Sequence, residues 1–111
     1  MKDFLVDCAG PEGLTGVFED DGETGYLYLY KQESGEILRH LHIYDRSLEV
    51  NVKADDVRVL WSNDQKKCGV IVWEKMRGII DLGDDREGRV WIEDRNTPGI
   101  GDSDWLAGFQ V

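Results

Sequence analysis

His40 and His42 are the only histidines in the chain, and their i, i+2 spacing aims both imidazoles to one face if the segment is a strand. Two imidazoles so placed can ligate zinc, with a carboxylate as the third ligand. No sequence neighbour identifies that ligand. A metal-binding domain built on the His40/His42 pair is therefore carried as an alternative, and the leading expectation assigns no residue to a metal. Upstream, Glu19, Asp20, Asp21 and Glu23 crowd four carboxylates around Gly22. A calcium loop alternates its acids and closes with a distant bidentate glutamate. Here the acids are consecutive and that glutamate is missing, so Gly22 and Gly25 read as a tight turn whose carboxylates remain in water.

The nucleophile inventory is thin. Cys8 and Cys68 stand far apart with no CxxC pair, which reads as two small buried hydrophobes. Ser34, Ser47, Ser62 and Ser103 lack the GxSxG elbow. No glycine-rich loop with lysine is present to cradle a phosphate. The expectation is a protein that is not an enzyme, with no catalytic residue and no cofactor.

Binding is the chemistry that remains. Tyr26, Tyr28 and Tyr30 alternate strictly with Leu27 and Leu29, so the tyrosines share one face of a strand. With His40, His42 and Tyr44 on a neighbouring strand they would form an exposed aromatic ladder. Aromatic side chains bury much area at small entropic cost, which suits them to interface centres. The competing expectation is that this face packs against the C-terminal tail through Trp105 and Phe109.

Charge narrows the partner. In 111 residues, 13 Lys and Arg face 23 Asp and Glu, a formal net charge of −10. Residues 1–60 hold 13 acids and 6 bases, so the excess lies mostly in the first half. Phosphate backbones and anionic membranes need clustered Lys and Arg. Direct nucleic-acid and membrane binding are thus excluded, and a basic protein is favoured. The expected partner-binding residues are Glu19, Asp20, Asp21, Glu23, Tyr26, Tyr28 and Tyr44. Small acidic proteins of this kind include immunity and inhibitor proteins that occupy a cognate toxin. A housekeeping structural or oligomeric domain is the rival reading, and a homodimer is compatible with either.

The positioning elements read as mainly β. The expectation is one domain over 1–111, an antiparallel meander forming a sheet or partly open barrel, with at most one short helix. Apolar runs separated by turn residues predict strands at 14–18, 26–30, 37–44, 57–61, 68–73, 79–82 and 89–93, and a further one opening at Val50-Asn51-Val52. In 37–44 the alternation places Ile37, Arg39, Leu41 and Ile43 on one face and Leu38, His40, His42 and Tyr44 on the other. Turns are expected at 31–36, 62–67, 74–78 and 84–88. Residues 95–111 form a C-terminal loop and docking tail, with Ser103 or Asp104 capping a short helical turn through Ala107.

The segment from Val17 through Glu19-Asp20-Asp21-Gly22-Glu23 to Tyr26 resembles the signature of a family of small bacterial proteins of unknown function. Ile37 to Tyr44 and Val57 to Asp64 resemble two further segments of that family, so the similarity spans about residues 4–82. Gln65 stands where a turn glycine is usual there. The resemblance implies a bacterial β-rich domain and brings no activity or catalytic residue. Met1 to Asp7 carries acids inside what would be the apolar core of a signal peptide, and the expected location is the cytoplasm.

Overall fold

The computed structural model describes residues 3–83, 89–92 and 94–109. Its strands are β1 (Phe4–Ala9), β2 (Leu14–Asp20), β3 (Thr24–Lys31), β4 (Glu36–Asp45), β5 (Val57–Trp61), β6 (Lys67–Val72), β7 (Lys75–Asp81) and β8 (Arg89–Val90). Among the described residues one short α-helix, α1, covers Ser103–Leu106. The protein is mainly β, as expected. Among the described residues the meander is divided into two antiparallel four-stranded sheets, ordered β1-β2-β3-β4 and β5-β6-β7-β8, that do not close into a barrel.

Alternation explains why the sheets stack. Phe18, Leu27, Leu29 and Ile43 from the first sheet meet Val57, Val59, Val70, Val72 and Ile80 from the second in one buried cluster. Each strand turns its apolar residues inward at period two, so facing the sheets together removes both apolar faces from water. β1 has the same logic: Phe4, Val6 and Cys8 pack on this core while Leu5, Asp7 and Ala9 are exposed. That alternation stood in the sequence at 4–9 but was not among the expected strands.

Val50 and Val52 are buried without forming a strand. Ser47 closes this segment into a turn, its Oγ accepting from the Glu49 and Val50 backbone N–H groups at 3.2 and 3.0 Å. The two valines plug the core from a loop. Arg89 and Val90 pair with β7, the Trp91 N–H still donates to the Arg77 carbonyl at 2.8 Å, the strand goes no further, and Glu93 lies outside the described residues. The expected turn at 84–88 also lies outside them.

The tail docks on the far side of the second sheet. Trp105, Leu106 and Phe109 pack against Ile71, Met76, Ile79 and Ile100. Lys67 Nζ donates to the Asp104 and Ala107 carbonyls at 2.7 and 3.2 Å, and Lys75 Nζ to the Thr97 carbonyl at 3.3 Å. The α1 cap is Asp102, one residue before the expected candidates. Its side chain accepts from the Asp104 and Trp105 N–H groups, and Arg89 beside it holds its carboxyl below the usual range.

The β5–β6 turn places Gln65 at φ +59°, in the left-handed region where a Cβ is penalised. Gln65→Gly is therefore expected to stabilise the fold by about 0.5–1 kcal/mol, the relief of the Cβ clash exceeding the entropic cost of glycine. A urea midpoint that fails to rise in the variant would contradict this.

Candidate functional site

Antiparallel register assembles the outward face of the first sheet in rows, because directly opposed residues point to the same side. One row runs Leu5, Glu19, Tyr26, His42; the next Asp7, Val17, Tyr28, His40; the third Ala9, Thr15, Tyr30, Ile37. The three tyrosines form a central column. The Tyr26 and His42 rings stack with centroids 5.1 Å apart. His42 Nε2 also lies 2.9 Å from Asp45 Oδ1. Thr15 Oγ1 accepts from Gln32 Nε2 at 2.7 Å. Val17 is buried despite its outward position, between Asp7 and Tyr28 on the neighbouring strands.

Glu19 flanks Tyr26 on this face, and burial, then Glu19 and Tyr30, push the Tyr28 hydroxyl above its ordinary range. Tyr28 therefore stays a neutral hydrogen-bonding group at physiological pH. Leu5 and Ile37, 55% and 54% exposed, form the apolar margins. The tail covers the other sheet, so among the described residues the tyrosine face has no apolar cover.

Two of the seven expected binding residues lie inside the protein. β4 carries an irregularity where Gly25 pairs with Tyr44 but Tyr26 pairs with His42, leaving Ile43 as the extra residue. This bulge breaks period two, so Tyr44 turns inward and leaves the ladder. Gly25 makes room: a Cβ there would come within 2.6 Å of the Tyr44 ring and 2.9 Å of Phe18. A second irregularity, at Leu29/Tyr30, puts Ile37 on the outward face with the histidines. The single alternation expected across 37–44 thus fails at both ends of the strand.

Asp20 is likewise fully buried and not solvated in the turn. It accepts from Tyr44 Oη at 2.5 Å, from Arg46 Nε at 2.8 and 3.0 Å, and from the Gly22 N–H at 2.8 Å. Arg46 spends its other nitrogens on Asn51 Oδ1 at 2.9 Å and the Val52 carbonyl at 2.7 Å. Asp21 is exposed but organises the turn, since the Thr24 and Glu23 backbone N–H groups on its carboxylate hold it below the usual range. Glu23 is exposed at the end of the face. The structure therefore brings Glu19, Tyr26 and Tyr28 together, with Asp21 and Glu23 in the adjoining turn.

Sequence reasoning missed Arg46, whose signal was a lone cation directly after the apolar strand and able to pair with an inward acid. Among the described residues no group of three His, Cys, Asp or Glu side chains could hold a metal ion. None of their helices is long and apolar enough to cross a membrane.

Fold and face together define a class: an acidic two-sheet β protein that presents a tyrosine-histidine surface bordered by carboxylates. The chain belongs to a bacterial family described as "Uncharacterized protein conserved in bacteria (DUF2251)", which it matches over residues 2–89. No curated protein and no solved structure matches it.

Arg46→Met leaves the Asp20 carboxylate buried without its cation, and is expected to cost about 3–5 kcal/mol in chemical denaturation. A loss within about 0.5 kcal/mol, typical of a surface substitution, would show the pair to be dispensable.

Alkali tests the same network. Burial, and then the hydrogen bond and charge of Asp20, push the Tyr44 hydroxyl far above the ordinary tyrosine range. Below pH about 10 this contribution is fully present. Above it the unfolded chain ionises while the folded one keeps the proton, and stability falls by about 1.4 kcal/mol per pH unit. Tyr44→Phe should lessen the alkaline slope by that amount, the buried Cys68 thiol contributing to what remains, as read from urea midpoints between pH 9 and pH 11 (about one unit either side of the free tyrosine value).

Proposed function

We propose that this chain is a non-enzymatic binding protein that occupies a basic protein partner, in the manner of an immunity or inhibitor protein neutralising a cognate toxin. The observation that carries the reading is the tyrosine column of β3, held on one face of the first sheet and left without apolar cover among the described residues, while the tail covers the other sheet. The net charge of −10 supplies long-range attraction for a basic partner. Charge alone gives little specificity, and the tyrosines supply the anchor that charge lacks.

The roles divide by position. Tyr28 sits at the centre of the face, between Val17 and His40, where a partner would exclude water most completely. Glu19, Asp21 and Glu23 border it, where individual carboxylates chiefly affect encounter rate and salt dependence. Asp20 and Tyr44 take no direct part because they are buried. Their role is to hold the turn and the end of β4 that frame the face.

The test is affinity capture from the native bacterium, followed by calorimetry with the purified partner. Tyr28→Ala is expected to lose about 2 kcal/mol or more, and Glu19→Gln well under 1 kcal/mol with a reduced dependence on salt. A partner insensitive to Tyr28→Ala would remove the sheet face from the reading. Multiple-turnover chemistry in the purified protein, abolished by one substitution that leaves the fold intact, would overturn the reading itself.

A further inference from the structure

A cleft that shares no residue with the tyrosine face opens where the β6–β7 turn meets the segment before β5. Trp73 and Glu74 form that turn at φ +53° and +66°, a left-handed pair in positions usually given to Asn-Gly. The Trp73 backbone N–H donates to the Asp56 carbonyl at 3.0 Å, and its indole packs on the edge of the core. Around this indole lie two adjoining hollows of about 470 and 370 Å³ that share Asp56, Trp73 and Arg95. Asp55 and Glu74 line the larger, and Glu49 and Lys53 the smaller, so four carboxylates face two cations.

Arg95 is exposed, yet its guanidinium stands 5.7 Å from the Trp73 ring centroid. It projects from a turn closed by Asp94, whose carboxylate accepts from the Asn96 and Thr97 N–H groups at 2.8 and 2.9 Å. The cleft therefore already holds a guanidinium, supplied by the chain itself.

We propose that this cleft receives an arginine side chain from a protein partner, and that Arg95 fills it in the free protein as an internal plug. The present occupant shows the chemistry that fits. An aromatic face attracts the planar cation, and the excess of carboxylates favours a positive charge. An exposed cation–aromatic contact is weak, so one guanidinium can replace another without repacking either sheet. The source of the incoming arginine rests on the basic-partner reading above, whereas the chemistry of the cleft does not.

The probe is N-acetyl-arginine amide, titrated into the full-length chain by calorimetry, with the Trp73 indole N–H resonance followed by NMR wherever Trp73 is retained. Arg95→Ala is expected to bind it with a Kd about fivefold below that of the unsubstituted protein, because the exposed competing cation is gone and only the buried Arg77, 6.0 Å from the ring centroid, still faces the indole. In that background Asp55→Asn with Glu74→Gln, both exposed, should weaken binding several-fold, and Trp73→Leu should abolish it. Should Trp73→Leu not fold, the carboxylate pair decides. The absence of a saturable shift in Arg95→Ala, or equal affinity in Arg95→Ala and the unsubstituted chain, overturns the proposal, as does an unchanged Kd in the carboxylate pair. Arginine binding without any captured basic partner would sustain the cleft and remove the functional reading. A captured partner without arginine binding would do the reverse.

Discussion

A carboxylate with no exposed surface sits at the junction of two β-strands and a loop, and much of the architecture follows from satisfying it. Asp20 ends β2, Tyr44 lies near the end of β4, and Arg46 begins the loop that carries Val50 and Val52 into the core. An ionised carboxylate buried alone would cost several kcal/mol or more, so its site persists only when donors surround it. Here a hydroxyl, a guanidinium and a backbone N–H converge on the two oxygens. The same guanidinium reaches the Val52 carbonyl and so ties the first sheet to the segment that leads into the second. Buried pairs of this kind add little net stability compared with an apolar replacement, but they oppose alternative registers because any slip strands a charge.

The two outer faces of the sandwich have opposite fates. The second sheet turns Ile71, Met76 and Ile79 outward, an apolar face that cannot stand in water, and the tail returns to cover it. Lys67 fastens that cover by donating to the carbonyls of the short helix and the residue after it, which would otherwise lack partners. The first sheet turns out tyrosines, histidines, Thr15 and Glu19, amphipathic or polar groups that tolerate solvent and keep contact area available. Among the described residues the sandwich thus carries a covered face and an open one, and the composition of the strands decides which is which.

Backbone cost falls mostly in the turns of the second sheet, Glu12 at φ +52° before β2 being the counterpart in the first. Gln65, Trp73 and Glu74 occupy left-handed conformations without being glycine. Arg77 lies at the irregularity between β6 and β7, fully buried, with its Nε and Nη1 donating at 3.4 Å to the Val72 and Trp91 carbonyls. Burial pulls its pKa down, and Asp94 partly opposes that pull. Strain of this kind persists where surrounding contacts over-determine the geometry, and here those contacts are the core packing of Trp73 and the tail-facing packing of Met76 and Ile79.

Period-two alternation made most strands legible in the sequence, because a half-buried strand must alternate and the turns between them use residues that favour turning. Composition likewise determined the acidic character and the surplus of aromatic residues. The alternation of Leu27 and Leu29 with three tyrosines separated the two sides of β3, and the docking of the tail on the second sheet decided which side stays outward. Local pattern could not reveal the two irregularities in β4, since one inserted residue inverts every later side chain and depends on what the partner strand offers. Gly25 offers space, so Tyr44 goes inside. Nor could it tell that Asp20, one of four crowded carboxylates, is buried while its neighbours are solvated. That choice belongs to tertiary structure, because a charge enters the core only where a cation from a distant part of the chain arrives to meet it, and Arg46 arrives there only once β4 has paired with β3.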